Sequence, residues 1–349
     1  MRRVTHILGS HREIGGLEKY VKDLSIAQVG AGMHVSVCAH ARMKGLFPAG
    51  VNFYALNMGL SRLDPRLLWK LWIALKESQP DLVHVHANKA ARGSALLKKW
   101  ANCPFVATVH GVKKRTGVYG HFDRVIVPSR IVADTLTGVR SDIVYNAVSS
   151  YNPEWMKQAM RLNPPFRDNE NQLILYAAGR FAKVKGYDLL LGAVARLPQA
   201  CLWLVGDGPE MQNLKQMVHL LGIADRVWMP GYLPESQMIG LMPLSSLFVI
   251  CSRKEAGPFT LAQALRAQCP VISTRVGIAE EFLGDQQLLD GVSSDAIVKG
   301  IEFFLRAPEE YLDSIAPAFR LADERLEFSK MVQRVNDIYE AALLDRGAD

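Results

Sequence analysis

The sequence predicts an α/β protein built from two doubly wound domains in tandem, each a parallel sheet with helices on both faces. Two observations carry this. Short, wholly apolar runs alternate with helix-length amphipathic patterns, and a single proline- and asparagine-rich stretch, Ser149 to Gln172, interrupts the alternation before it restarts. Strands that read as continuous apolar runs are those buried on both faces, the mark of βαβ units.

Arg3 to Leu8 reads as the first strand, followed by a loop, Gly9 to Gly16, that brings Gly15 and Gly16 to the start of a helix from Leu17 to about Ala31. A glycine turn at the carboxyl end of a first parallel strand is where open sheets bind ligands, although this one is not G-x-G-x-x-G. Further strands are expected at Val35 to Ala39, Leu82 to His86, Phe105 to Val109, Val125 to Val127 and Ile143 to Tyr145, with helices at Pro65 to Glu77 and Asn88 to Trp100. The interruption, with Pro153, Pro164, Pro165, Asn152, Asn163, Asn169 and Asn171, reads as a linker. Strands then resume at Leu173 to Ala178, Cys201 to Val205, Val227 to Met229, Leu247 to Ile250 and Pro270 to Ser273. Helices are expected between them near Gly186 to Arg196, Pro209 to Leu221, Pro234 to Met242 and Phe259 to Ala267. A cleft is expected between the two domains. The tail, Glu327 to Leu344, carries Phe328, Met331, Val335 and Ile338 at helical spacing.

A chain of 349 residues with 49% hydrophobic and 21% charged residues has the composition of a water-soluble globular protein, and no apolar run approaches the roughly 20 residues of a membrane span. Met1 to Ser10 lacks the apolar core of a signal peptide, so the expected compartment is the cytoplasm. The five cysteines are scattered without a C-x-x-C pair, which implies neither disulfides nor a zinc site. The net charge of +7 is uneven: Met1 to Pro165 holds 23 Lys+Arg against 10 Asp+Glu, or +13, and the rest is −6. No nucleic-acid signature accompanies the basic half. It reads either as a solvated surface or as a face for an anionic membrane or lipid.

The stretch Cys251 to Gln263 draws most of the candidate chemistry. The apolar run Leu247 to Ile250 leads into a loop carrying Glu255, Gly257 and Pro258, and a helix then opens. Pro258 suits the first helical position, where a missing N–H costs nothing. The amides of Phe259, Thr260 and Leu261 would then lack partners and form an anion site. In the same half Gly179-Arg180-Phe181, Lys183, Lys185 and Gly186 follow a strand; Arg180 offers a planar fork and Lys185 a point charge to diphosphate oxygens. Gly206-Asp207-Gly208 reads as a structural turn. His6, His84 and His86 read as neutral core or cleft histidines, with no convincing further ligand for a metal. His110, in a His-Gly turn at a strand end, reads as a substrate contact. No Walker loop, nucleophile elbow or H-E-x-x-H occurs. A dehydrogenase would need a full glycine fingerprint, and neither domain has one.

In order and spacing these pieces resemble the retaining glycosyltransferases of family 4, the group 1 glycosyl transferases. They are Gly15-Gly16-Leu17-Glu18, Asp81 to His86, His110-Gly111, Pro128-Ser129, Tyr145-Asn146, Gly179-Arg180-Phe181, Lys185-Gly186, Gly206-Asp207-Gly208, Gly231, and Cys251 to Gln263 followed by Pro270-Val271-Ile272. The resemblance implies the GT-B fold. It implies an acceptor-side domain over 1–165, a donor-side domain over 166–325, and a helix over 326–349 packing back on the first. Arg180 and Lys185 would hold the donor diphosphate, and Gly257 to Leu261, with Pro258, Phe259 and Thr260, would cradle phosphate and sugar. Glu255 would bond the sugar hydroxyls, His110 would contact the sugar, and Gly15 and Gly16 would approach the phosphates or acceptor. The family has a ribose-contacting Glu where this chain has Gln263, and the amide gives up charge-assisted strength. No cofactor or metal is implied. The nucleoside-diphosphate sugar, a UDP-sugar by expectation, is co-substrate, and the acceptor a saccharide or glycolipid such as a lipopolysaccharide core at the inner membrane face. A GT-B sugar-nucleotide epimerase and a non-catalytic nucleotide-sugar binder are the other readings.

Overall fold

A computed structural model describes residues 2–10, 15–166 and 172–347. The chain divides into two compact units, one of Met1–Asn146 with Ser329–Asp349, the other of Ala147–Phe328. The boundary expected at residue 165 is therefore displaced to Asn146, and the tail leaves the second unit at Phe328 rather than at 325. The reason lies in the expected linker, which contains a helix, Pro153–Met160. Asn152 caps it by accepting from the Glu154 amide at 3.0 Å, and Pro153 occupies its first turn. This helix packs on the helix Glu235–Gly240 so closely that a Cβ at Gly240 would lie 2.0 Å from the Trp155 carbonyl oxygen. Asn169 and Asn171 of that stretch lie outside the described residues, as do positions 11–14 of the loop after the first strand.

Among the described residues of the first unit seven parallel strands follow the order β3-β2-β1-β4-β5-β6-β7. They are β1 (Arg3–Leu8), β2 (His34–His40), β3 (Val51–Leu56), β4 (Leu82–His86), β5 (Phe105–Thr108), β6 (Arg124–Val127) and β7 (Asp142–Ile143). β3 is the strand that sequence reading missed. It lies at the sheet edge and is half exposed, with Asn52 and Ala55 in solvent, so it lacks the doubly buried pattern that marks β4 and β5. The helix Phe328–Gly347 is tied to this unit through Tyr339, Asn336 and Arg334, and Val335, Ile338, Tyr339 and Ala342 are buried at helical spacing.

The described residues of the second unit form five parallel strands in the order β10-β9-β8-β11-β12. These are β8 (Leu173–Ala178), β9 (Ala200–Val205), β10 (Val227–Gly231), β11 (Leu247–Ile250) and β12 (Val271–Ser273). Every residue of β8, β9 and β11 is buried. In each sheet the chain winds outward from its first strand on one side and then returns to the other. The order thus reverses between β1 and β4 and between β8 and β11, and the loops at the carboxyl ends of those strands diverge to leave a ligand crevice.

Candidate active site

The reversal in the second unit brings together two stretches far apart in sequence. The turn after β8 and the loop after β11 are fastened by backbone and side-chain bonds. The Arg253 amide donates to the Val184 carbonyl at 2.7 Å, and Cys251 Sγ to the Lys185 carbonyl at 3.3 Å. Arg253 also grips Asp188 with both guanidinium nitrogens, at 2.8 and 2.6 Å, which holds the Asp188 carboxyl below its usual range. Gly186 makes the approach possible: its φ is +71°, and a Cβ there would sit 2.0 Å from the Cys251 carbonyl oxygen. Burial pushes the Cys251 thiol up to about 12, so it stays protonated and serves as a donor, not a nucleophile.

Within this frame Lys185 Nζ lies 2.6 Å from Glu255 Oε1, both side chains mostly covered, and Ser252 Oγ donates to the same oxygen at 2.9 Å. The Ser252 carbonyl accepts from Thr274 Oγ1 at 2.7 Å, so the residue that follows β12 helps fix the loop. The lysine assigned to phosphate and the glutamate assigned to sugar are thus direct partners. Arg180 is exposed at the end of β8. A Cβ at Gly179 would lie 3.7 Å from Lys185 Nζ, so the ammonium stands against bare backbone.

The helix after the loop spans Phe259–Arg266, and Pro258 is its N-cap, one position earlier than expected. The Leu261 amide donates to the Pro258 carbonyl at 3.1 Å. It closes the first turn and is withdrawn from the set of three outward amides. Gly257 and Pro258 are buried, and a Cβ at Gly277 would lie 2.4 Å from Pro258 Cδ. Gln263 is only 3% exposed, and its Nε2 donates to Glu235 Oε1 at 2.9 Å. Its Oε1 is buried with no hydrogen-bond partner among the described residues.

The first unit carries the other candidates. His110, half-buried after β5, donates or accepts through Nε2 to His86 Nδ1 at 3.1 Å and packs edge-on against Tyr20, with ring centroids 4.9 Å apart. Burial, with Lys113 nearby, drives its pKa down to about 3. Gly15 caps the helix Gly16–Gly30, its amide held by Glu18 Oε2 at 2.8 Å, and Ser10 donates to the other oxygen of Glu18. Gly15 has an extended backbone that any residue could adopt. Gly9 is the crowded glycine, since a Cβ there would lie 2.6 Å from the Ala90 amide nitrogen.

Sequence reading singled out Arg180, Lys185, Glu255 and His110 but missed Ser252, Glu235 and Gln28. Ser252 was open to detection as a neighbour of Glu255. The others become relevant only through strand order.

The family model described as "Glycosyltransferase Family 4" matches residues 14–150, and that described as "Glycosyl transferases group 1" matches residues 161–319. The lipopolysaccharide core biosynthesis glycosyltransferase LpsE of Rhizobium meliloti is 31% identical over 309 residues, covering 88% of this chain and 84% of that protein. The chain is a family 4 glycosyltransferase. The transferase is also 30% identical, over 58% of its length and 54% of the relative's, to N-acetyl-alpha-D-glucosaminyl L-malate synthase of Bacillus anthracis. Its fold is GT-B. Anabaena HepE, solved in complex with UDP, superposes with a TM-score of 0.81 at 20% identity, over 97% of this chain and all of that one.

Proposed function

We propose that this glycosyltransferase moves a sugar, with retention of anomeric configuration, from a UDP-sugar to a saccharide or glycolipid acceptor of the lipopolysaccharide-core kind. The observation that carries the reading is the Lys185–Glu255 pair at the β8/β11 reversal, beside exposed Arg180 and a buried glycine-proline turn that opens a helix. Arg180 and Lys185 stabilise charge on the departing diphosphate, and the helix start adds its dipole. Glu255 has one oxygen held by Lys185 and Ser252, which leaves the other to accept from sugar hydroxyls. Gly257, Pro258, Phe259 and Thr260 form the backbone cradle, and Gly15 and Gly16 approach the acceptor or phosphates. His110 accepts from a substrate hydroxyl. In the front-face reaction the acceptor oxygen bonds the anomeric carbon as the bond to the diphosphate oxygen breaks, and that oxygen takes the acceptor's proton. The choice of UDP and of acceptor is supported by the HepE complex and the LpsE likeness. Incubation with UDP-, GDP- and ADP-sugars, with and without deacylated lipopolysaccharide core, tests it. Product with the donor's configuration by NMR is expected only with acceptor, and acceptor-independent conversion of the donor would replace the transferase by an epimerase.

The ribose contact falls to Glu235, whose carboxylate the Gln263 amide anchors from the buried side. In UDP titrations Arg180→Ala should weaken binding by about 10- to 100-fold, the loss of one charge-assisted contact. Glu235→Ala should weaken binding by about tenfold for the same reason. Wild-type affinity in either variant removes that residue from the nucleotide site.

The transferase also works, in this reading, at an anionic membrane surface. Among the described residues no helix is long and apolar enough to span a bilayer. The tryptophans Trp69 and Trp100 are 61% and 66% exposed. Trp100 lines a groove with Trp72, Lys76 and Leu97, Trp69 stacks on Trp72 with ring centroids 5.2 Å apart, and exposed Lys70, Lys76 and Lys99 lie on the same two helical segments. Tryptophan with lysine is the pairing suited to an anionic headgroup layer. Sedimentation with phosphatidylglycerol vesicles should show binding that falls about tenfold or more in the Trp69→Ala/Trp100→Ala protein and with added salt. Equal binding to phosphatidylcholine vesicles, or no change in the variant, excludes this face.

A further inference from the structure

Four histidines of the first unit, His6 on β1, His84 and His86 on β4, and His110 after β5, meet where the strand order reverses, and three of them are fully buried. His6, His84 and His86 place ring nitrogens within 4.8 Å of one another, a spacing a metal could use. Every nitrogen of these three rings is, however, already paired. His84 holds Tyr339 at 2.5 Å through Nδ1 and Thr108 at 2.6 Å through Nε2. His6 holds Gln28 at 2.8 Å through Nε2 and His86 at 3.0 Å through Nδ1, and His86 holds His110 at 3.1 Å through its own Nδ1.

We infer that the line Gln28–His6–His86–His110 is a tautomer lock, which fixes a bare Nδ1 on His110 as the acceptor offered to substrate. This rests on the assignment of His110 as a substrate contact. The Gln28 amide nitrogen donates to Asn336 Oδ1 at 3.3 Å, so its oxygen faces His6. An amide oxygen only accepts; His6 therefore carries its proton on Nε2. A neutral imidazole has one N–H, so His6 Nδ1 is an acceptor and His86 must be protonated on Nε2. By the same step His86 Nδ1 accepts, and His110 carries its proton on Nε2. Burial keeps all the rings neutral: His6 titrates at about 4 and His110 at about 3, with His86 well below its ordinary value. Neutrality is what makes the rule strict, because an imidazolium would donate from both nitrogens and break the line. The line ends on Gln28, which can neither take up nor supply a proton, so it orients His110 and is not a conduit to solvent. Gln28, His6 and His86 are positioning residues.

Long-range 1H–15N spectra of histidine-labelled protein at pH 7 read the lock directly, without substrate. The Nε2–H form is expected at His6, His86 and His110, unchanged on addition of zinc. Gln28→Met keeps the volume and removes the acceptor. With Tm close to wild type, it should convert His110 to a mixture of tautomers and lower transfer kcat by about five- to tenfold, the worth of one hydrogen bond. Nδ1–H at His110 in the wild type, a stoichiometric zinc complex, or a His110 spectrum indifferent to Gln28→Met would overturn the lock. Absence of transfer with every donor, alongside the Nε2–H spectrum, would overturn the functional reading and leave the lock standing.

Discussion

Glu255→Ala will lower sugar transfer by about 10²- to 10³-fold while leaving UDP affinity within a few-fold. The asymmetry follows from geometry. One carboxylate oxygen is occupied by Lys185 Nζ at 2.6 Å and Ser252 Oγ at 2.9 Å, which fixes the other in a preorganised direction. Bonds from such an acceptor to sugar hydroxyls strengthen as positive charge builds at the anomeric carbon, so their loss falls on kcat. In the proposed site the nucleotide is assigned to Arg180, Lys185 and the helix start, so its affinity should change little. Glu255→Gln is the finer probe. It keeps the shape, but its amide cannot hold both Lys185 and a sugar as a carboxylate does, so transfer should fall nearly as far. Steady-state kinetics with isothermal titration of UDP check both, and wild-type kcat in either variant would show that Glu255 does not touch the sugar. A Lys185→Ala/Glu255→Ala double-mutant cycle should be strongly non-additive, since Lys185→Ala alone leaves a mostly covered carboxylate without its counter-ion, held only by Ser252.

The first unit will lose stability steeply as pH falls below 6.5. Burial lowers all four histidines: His6 to about 4, His110 to about 3, and His84 and His86 well below their ordinary value. In the unfolded chain each titrates near 6.5. Between 6.5 and 4 the unfolded state therefore binds more protons than the folded one, and stability rises with pH through this window and levels off above it. At pH 5 His6 and His110 cost about 2 kcal/mol each. His84 and His86 act in the same direction, against a total of roughly 5–15 kcal/mol that holds a domain. Denaturant titrations at pH 7.5, 6.5, 5.5 and 5, read from first-unit signals, should show this slope above the carboxylate range. A flat profile down to pH 5 would mean that the rings are charged in the fold.

The strands of both sheets were legible wherever burial is two-sided. Leu82 to His86 and Leu173 to Ala178 read as apolar runs because helices cover both faces, whereas Val51–Leu56 did not, because an edge strand is half solvated. The helix Pro153–Met160 hid behind Asn152 and Pro153, residues that break chains in loops and equally well begin helices. At the active site, residue types and spacing singled out Arg180, Lys185 and Glu255, since charge beside glycine at a strand's carboxyl end is a local signal. What each of them faces was not local. Gln263 reads as a weakened ribose contact, and the fold turns its amide onto the Glu235 carboxylate, a pairing 28 residues apart that no local pattern shows.

The sequence by itself determined the two alternating α/β halves, the family, and the charged and glycine residues at the strand ends, because periodicity and turn chemistry are properties of neighbouring residues. Tertiary structure alone decided the partners. Lys185 meets Glu255, and Gln28 reaches His110 through His6 and His86, because strand order reverses at β8/β11 and β1/β4. Strand order is set by how sheets wind and bury their faces. No short-range pattern encodes it.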